Sequence, residues 1–220
     1  MEKFENKDYC KNCGGYCCRK SGCDYWVEDF NDKSMKGLLE ILSTGDVSIV
    51  SFLSLKKLPN GKKIAEPFLY LRARNTDRDI VDLLSIKTPC SLLTSEGCPL
   101  DLEHRPSGAA NIIPGKSKYE CRPNENPLNK ILEWDSYQKP LRRIVKKYTG
   151  LSVEDKLRED VENLFLDVMN GELDKALMEE YHDIKGLLPE MMEIYPDEHQ
   201  NAVRRYFADE KVIRKTKQSL

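Results

Sequence analysis

The chain has 220 residues and a formal net charge of −2, and it is long enough to bury a core without disulfide staples. This small net charge gives no overall attraction to nucleic acid or to an anionic membrane. No apolar run reaches the roughly 18 to 20 residues that cross a bilayer, and the N-terminus, MEKFENKDYC, lacks the apolar core of a signal peptide. We therefore expect a cytoplasmic protein that uses neither a membrane nor nucleic acid.

The cysteines are concentrated near the start of the chain. Five of the eight lie within residues 10–23, which read C-K-N-C-G-G-Y-C-C-R-K-S-G-C. Thiolates packed this densely repel one another, so a cation that deprotonates and shares them is the natural way to hold them together. Cys10 and Cys13 form a C-x-x-C pair, a spacing that lets both sulfurs turn toward one ion. This segment predicts a metal ion or an iron–sulfur cluster.

The other cysteines of this segment leave several arrangements open. Cys17 and Cys18 are neighbours whose side chains diverge, so one can bind the centre while the other supports a second site or lies in the core. Cys23 completes the group, and all five could also serve one closed site by themselves. Disulfides are the rival interpretation, and they require an oxidising compartment.

A helix follows the cysteine segment. Asp32 or Ser34 can cap a helix over residues 35–42, whose apolar side chains recur at three- and four-residue spacing. Gly45 ends this helix.

A β-hairpin is predicted next. Two β-like runs, DVSIVSFLSL and IAEPFLYLRAR, flank LPNGKK, where Asn60 and Gly61 tolerate the positive φ angles of a hairpin turn. Pro67 has no N–H to donate, so it predicts that the second run is an edge strand.

Residues 86–127 contain nine prolines and glycines, too many for long regular elements. The remaining cysteines, Cys90, Cys98 and Cys121, fall in this stretch. A bound ion or cluster would explain what holds such a long loop in place. Alternatively, the three later cysteines are ordinary buried side chains, because free cysteine behaves as a small apolar residue.

Beyond residue 127 the pattern becomes helical. Ser152 caps the second of four predicted helices, and Gly171 closes it. The apolar faces of the first two helices comprise Leu141, Ile144, Val145 and Tyr148, then Leu157, Val161, Leu164, Phe165 and Val168. Two more helices are predicted over residues 173–191 and from Asp197 onward, and the short linkers favour antiparallel neighbours.

Several charged residues have a structural as well as a functional interpretation. His104 can complete a site of three cysteines and one histidine, or it can be a solvated loop residue. Arg105 can offset the charge of nearby thiolates, or it can pair with Asp101 or Glu103. A basic stripe on the first C-terminal helix is interpreted as a solvated face rather than a phosphate-binding surface; it comprises Lys139, Arg142, Arg143, Lys146 and Lys147.

The arrangement of cysteines resembles a known family. The pattern C-x-x-C-x-x-x-C-C, a following helix, and then PCSLLTSEGCPLDLEHRP with IIP further on resemble the CxxCxxCC or YkgJ-like cysteine-cluster family over residues 8–125. That family shows a cysteine before a short apolar pair, a second cysteine eight residues later and an Arg-Pro, matched here by Cys90, Cys98 and Arg105–Pro106. Ala109 stands where the family has its next cysteine.

The resemblance implies a zinc- or iron-chelating domain, with iron–sulfur chemistry in some members and a relationship to flagellin lysine N-methylases. We expect Cys121 to replace the thiolate that Ala109 lacks; otherwise the centre is one ligand short and open to water or substrate. The predicted metal-binding residues are Cys10, Cys13, Cys17, Cys18, Cys23, Cys90, Cys98 and Cys121.

The sequence as a whole predicts an α+β protein in two regions. Residues 1–127 form a metal-held cysteine region with a small β-hairpin, and residues 128–220 form an antiparallel helical bundle. The predicted function is the binding of a 4Fe-4S cluster or of zinc by cysteines of residues 10–23 and 90–121. The alternatives are a protein-modifying enzyme resembling the flagellin lysine N-methylases and a structural zinc module, and the predicted partner is another protein.

Overall fold

The protein combines helices with small antiparallel sheets in a computed structural model, which confirms the α+β class. The structure describes residues 12, 15, 23–61, 63–74, 79–85, 90–116 and 120–170. Contacts divide the chain into two compact units, Met1–Phe52 with Pro67–Leu157 and Leu53–Glu66 with Arg158–Leu220. Residues 128–157 belong to the first unit, and the division of the chain at residue 127 stays a prediction.

A three-stranded sheet contains the predicted hairpin. Its strands are β1 (Asp24–Tyr25), β2 (Val47–Lys57) and β3 (Lys63–Ala73), in the order β1-β3-β2. The turn between β2 and β3 has Gly61 at φ +84°, the left-handed conformation that glycine adopts without strain. The hairpin prediction is therefore confirmed.

Strand β3 is the middle strand, so the prediction of an edge strand at Pro67 is wrong. The antiparallel β1 pairs only with its last part, Asp24 opposite Arg72 and Tyr25 opposite Leu71. Because β1 is two residues long, it ends before reaching the level of Pro67. A proline can thus occur within a middle strand without breaking the β1–β3 pairing.

The free edge of β2 is covered by residues 80–83. The Ile49 N–H donates to the Ile80 carbonyl at 2.8 Å, and the Asp82 N–H donates to the Ile49 carbonyl at 3.0 Å. This parallel contact adds backbone hydrogen bonds to a strand edge that would otherwise be open.

Helix α1 (Met35–Ser43) forms as predicted. The Ser34 side chain accepts from the Gly37 N–H at 3.2 Å, which satisfies one of the first backbone donors of the helix. Asp32 in turn accepts from the Ser34 N–H at 2.8 Å. The helix ends before Gly45, whose φ is +92°, and the buried Arg74 side chain donates to the Leu42 carbonyl at its C-terminal end.

The breaker-rich stretch contains only short elements in its described residues, as predicted. These are α2 (Ser107–Ala110), β4 (Ile112–Ile113) and β5 (Arg122–Pro123), and the two strands pair as an antiparallel hairpin. Buried Asn111 joins the hairpin to the next segment, because its side chain donates to the Glu125 carbonyl at 2.9 Å and accepts from the Glu125 N–H at 2.8 Å.

Three helices follow: α3 (Pro127–Leu132), α4 (Gln138–Thr149) and α5 (Val153–Asn170), with a 3₁₀ turn, Glu133–Tyr137, between the first two. The Trp134 indole N–H donates to the Tyr25 carbonyl of β1 at 3.0 Å. The Gln138 side-chain amide both accepts from the Leu69 N–H and donates to the Leu69 carbonyl, at 2.9 and 2.7 Å. These bonds connect the start of α4 to β3 at a level that β1 does not reach.

Most of the predicted apolar faces are buried. Leu141, Ile144 and Val145 of α4 are fully buried, whereas Tyr148 is 41% exposed and does not join them. Leu157, Val161 and Leu164 of α5 are buried, and Ser152 caps this helix by accepting from the Asp155 N–H at 3.1 Å.

The helices predicted over residues 173–191 and from Asp197 lie outside the described residues, as do the side chains of Phe165 and Val168. Among the described helices, none is both long and apolar enough to cross a bilayer.

Candidate metal centre

Three of the predicted metal-binding cysteines share one cleft. Cys23, Cys90 and Cys98 come from separate segments and line the same small cavity, whose volume is about 10 Å³. Cys23 and Cys90 are buried, and Cys98 is half-buried. The space suits about one water-sized group, so the thiols surround a site of atomic rather than ligand size.

Backbone hydrogen bonds fix the position of Cys23. It directly precedes β1, and its carbonyl accepts from the Ala73 N–H at the end of β3, at 2.8 Å. The two-residue strand β1 thus begins where this cysteine docks on the sheet.

The other two thiols are carried by tight turns. The Cys90 carbonyl accepts from the Leu93 N–H at 3.0 Å, and the neighbouring Ser91 N–H donates to the Arg74 carbonyl at 2.6 Å. Cys98 follows a turn closed by reciprocal backbone bonds between Thr94 and Gly97, at 3.0 and 3.1 Å, with Gly97 at φ +99°. Each turn brings a loop cysteine to the end of the sheet.

The remaining lining of the cleft is apolar: Ala73, Leu92, Leu93, Leu100 and Pro106. Apolar surroundings disfavour an ionised thiol and raise its pKa, so buried cysteines become thiolates when a nearby cation compensates the charge. Sulfur ligands without hard oxygen donors select soft or borderline metals such as zinc and iron, rather than magnesium or calcium.

The N-terminal cysteine loop contacts the same place through Gly15. This buried residue has φ +70°, and a Cβ added to it would lie 2.6 Å from the Leu93 Cδ1 atom. Leu93 also lines the cleft. The backbone of residues 10–23 therefore passes at van der Waals distance from the wall that Leu93 forms.

Ala109 also borders the thiols. Together with Tyr25, Leu92 and Leu93, it packs against the buried cluster of Cys23, Ala73 and Cys90. The short helix α2 that carries Ala109 is anchored at its start by Asp29, whose carboxylate accepts from the Ser107 N–H at 3.1 Å and from the Ser107 hydroxyl at 2.5 Å.

Tyr25 experiences the electrostatics of the cleft directly. Burial raises the pKa of its phenol well above the ordinary value, and the negative charges of Cys23 and Cys90 raise it further. The phenol therefore stays protonated at neutral pH. An uncharged ring next to the thiols keeps this wall of the site apolar in character.

His104 is a solvated loop residue rather than part of the cleft. Its ring Nδ1 lies 2.7 Å from the Asp101 carboxylate, and its side chain is 73% exposed. Hydrogen bonds from His104 lower the pKa of Asp101. Of the two interpretations of this histidine, the structure supports the solvated one.

Arg105 lies beside the cleft through a backbone contact. Its Nε donates to the Leu100 carbonyl at 2.9 Å, and Leu100 and Pro106 are both lining residues. The interaction fixes the loop that follows Cys98.

Cys121 has a different setting from the other described cysteines. It precedes β5, it is half-buried, and its Sγ accepts from the Gly115 N–H at 3.4 Å. It is not among the residues that line the cleft. Its predicted role as a replacement for the thiolate missing at Ala109 stays a prediction.

The described residues do not form a complete metal site. None of them belongs to a group of three or more His, Cys, Asp or Glu side chains able to hold an ion. The predicted ligands Cys10, Cys13, Cys17 and Cys18 lie outside the described residues. The cleft therefore provides one side of a centre whose other ligands would come from the N-terminal loop.

Comparison of the chain with family models, with curated proteins and with solved structures finds no match. The cysteine-cluster family therefore remains a resemblance carried by the motifs alone.

Sequence reasoning named the cysteines but missed the residues that position them. Asp29 and Ser107 are separated by 78 residues, and their hydrogen bonds have no sequence signature. Tyr25 offers a weak signal, because an aromatic residue two positions after Cys23 on a short strand places both side chains on the same face.

Proposed function

We infer that this protein binds zinc, iron or an iron–sulfur cluster through cysteines of its N-terminal loop and of the segment around Cys90 and Cys98. The observation that carries the proposal is the shared cleft of Cys23, Cys90 and Cys98. Cys23 and Cys90 are 67 positions apart in the sequence, so a common cleft reflects the fold rather than local spacing.

The chemistry of the cleft fits such a centre. Three thiols in apolar surroundings provide soft donors and exclude the oxygen ligands that harder cations need. A bound cation would stabilise the thiolates and repay the cost of bringing them together. The same cation would hold residues 90–106, where every described element is a turn or an isolated bridge.

The N-terminal loop is the source of the remaining ligands. The contact between Gly15 and Leu93 puts the backbone near Cys13 and Cys17 within a few residues of the cleft. A loop of this kind can present two or three sulfurs to one centre, as in other cysteine-rich metal sites. Zinc would need four ligands in all, and a 4Fe-4S cluster would likewise take four thiolates.

The proposal is tested by metal analysis and visible absorbance of the full chain purified without oxygen. We expect at least one metal ion per chain, with brown colour and acid-labile sulfide for a cluster, or a colourless zinc protein for a structural module. Cys23→Ser and Cys90→Ser should each lose most of the metal. Ser91→Cys, which adds a thiol next to Cys90, is the matched control and should keep the wild-type content.

The opposite pattern would refute the proposal. A wild-type protein that contains no metal after anaerobic purification and after reconstitution with iron, sulfide or zinc would contradict it. So would a Cys23→Ser, Cys90→Ser double variant that binds metal as tightly as the wild type.

A further inference from the structure

A row of aromatic rings leads from the cysteine cleft to the surface. Tyr25 packs against the cluster of Cys23 and Cys90, and its ring centroid lies 5.3 Å from that of Phe30. Phe30 lies 5.8 Å from Trp134, and Trp134 lies 5.7 Å from Tyr137. These separations are those of directly packed rings.

The same row is joined to Cys23 by a second, shorter connection. Cys23 precedes Tyr25 by two residues, and the Tyr25 carbonyl accepts from the Trp134 indole N–H at 3.0 Å. A path of covalent bonds and one hydrogen bond therefore runs from the Cys23 sulfur to the Trp134 ring and bypasses Phe30.

Burial along the row changes in one direction. Phe30 is 7% exposed and Trp134 is fully buried, whereas Tyr137 at the end is half-buried and reaches solvent. Tryptophan and tyrosine are the side chains most readily oxidised by one electron. Electron transfer falls steeply with distance, so an oxidisable ring between two sites shortens each step.

We propose that Trp134 and Tyr137 relay single electrons between a redox-active metal centre at the cysteine cleft and a one-electron carrier that docks beside Tyr137. This inference rests on the proposed function, in its iron or iron–sulfur form. Packing explains why Trp134 is buried, but it does not require a continuous connection from Cys23 to the solvent-facing ring of Tyr137.

The electron balance of one transfer is simple. The reduced centre gives up one electron and rises by one oxidation level, and the external carrier is reduced by one electron. If the carrier first oxidises Tyr137, the phenol releases its proton to water. It regains a proton when Trp134 returns an electron to it, and Trp134 is then reduced by the centre.

The test uses the metal-loaded full chain, reduced with dithionite, with hexacyanoferrate(III) as the one-electron acceptor. Stopped-flow absorbance of the centre gives the oxidation rate. In Trp134→Phe and in Tyr137→Phe we expect this rate to fall about tenfold, the effect of about 1.4 kcal/mol on a barrier. Tyr137→Phe keeps the packed ring and guards against any folding defect of Trp134→Phe.

Trp26→Phe is the matched control. Trp26 is also fully buried, but its ring faces the Lys130 ammonium at 5.0 Å. Its variant should be oxidised at the wild-type rate. Unchanged rates in both relay variants, or equal slowing in the Trp26 variant, would overturn the relay.

Metal content separates this inference from the proposed function. A colourless zinc protein would overturn the relay and leave metal binding intact. A protein without metal would contradict both.

Discussion

Position 109 is where a single residue has the most direct consequence for the centre. Ala109 packs against the cluster that contains Cys23 and Cys90. Its helix turn is held in place by the hydrogen bonds between Asp29 and Ser107. A side chain introduced at this position therefore starts from a fixed backbone next to two thiols.

Ala109→Cys should tighten metal binding, because it adds a sulfur donor at the edge of the cleft without moving the backbone. We expect affinity to rise by about tenfold, equivalent to about 1.4 kcal/mol, measured by competition with a chelator of known strength. Ala110→Cys is the control, since that neighbouring side chain is buried and does not pack against the thiol cluster. Equal affinities for the wild type and the Ala109 variant would contradict this expectation.

Tyr70 makes the stability of the fold sensitive to alkaline pH. Burial raises the pKa of its phenol from 10.0 to about 12, and its hydroxyl accepts from the Arg72 guanidinium at 2.9 Å. The unfolded chain therefore loses this proton at a lower pH than the folded chain. The contribution to stability is complete below pH about 10 and is lost as the pH rises toward about 12.

We expect the free energy of unfolding to fall by about 1 to 3 kcal/mol over this interval, from the linkage of about 1.4 kcal/mol per pKa unit. Urea unfolding at several pH values measures it. Tyr70→Phe should flatten the dependence, whereas Tyr148→Phe, at an exposed position, should not. A Tyr70→Phe protein with the same pH dependence as the wild type would show that burial of this phenol is not the cause.

At the scale of elements, helix α4 replaces a missing strand. Strand β1 pairs with β3 only at Leu71 and Arg72. One turn of sequence further along the edge, the Gln138 side chain forms the two hydrogen bonds that a neighbouring strand would supply to Leu69. A side-chain amide can do this because it carries a donor and an acceptor side by side.

Gln138→Leu should therefore destabilise the fold by about 1 to 3 kcal/mol, the cost of leaving buried backbone groups without partners. Thermal or urea unfolding of the full chain gives the value. Lys139→Leu is the control for the added apolar surface, because Lys139 is exposed on the same helix. Similar losses in the two variants would mean that the Gln138 hydrogen bonds contribute little.

The elements differ in how far the sequence predicted them. Helix α1, the hairpin and the buried faces of α4 and α5 depend on local spacing and capping, so the pattern of residues sufficed. Strand β1, the parallel contact at Ile49 and the Trp134–Tyr25 bond join residues far apart in the chain. No local pattern encodes such contacts, and the edge assignment at Pro67 failed for this reason.

The candidate site shows the same division. The cysteines could be named from their density and spacing, and a meeting of the two cysteine segments followed from the lack of regular structure around Cys90. The packing of Ala109 on the thiols and the hydrogen bond from Gly115 to Cys121 depend on the path of residues 107–123. That path follows from the Asp29–Ser107 bonds and the Asn111 contacts, which only the folded chain reveals.

For the whole molecule, the central claim is that one metal centre joins two segments distant in sequence. Cys23, Cys90 and Cys98 share a cleft, and Gly15 lies against Leu93. The cleft lies at the end of a sheet whose other contacts do not involve thiols. Loss of metal should therefore loosen both cysteine segments together and leave the packed helices of the same unit in place.

Amide hydrogen exchange of the full chain, with bound metal and after its removal by a chelator, tests this claim most directly. We expect exchange to accelerate together in residues 10–23 and 90–98, while the amides of the buried residues Leu141, Ile144 and Val145 in α4 stay protected. Acceleration confined to residues 10–23, with residues 90–98 unchanged, would contradict a centre shared by the two segments.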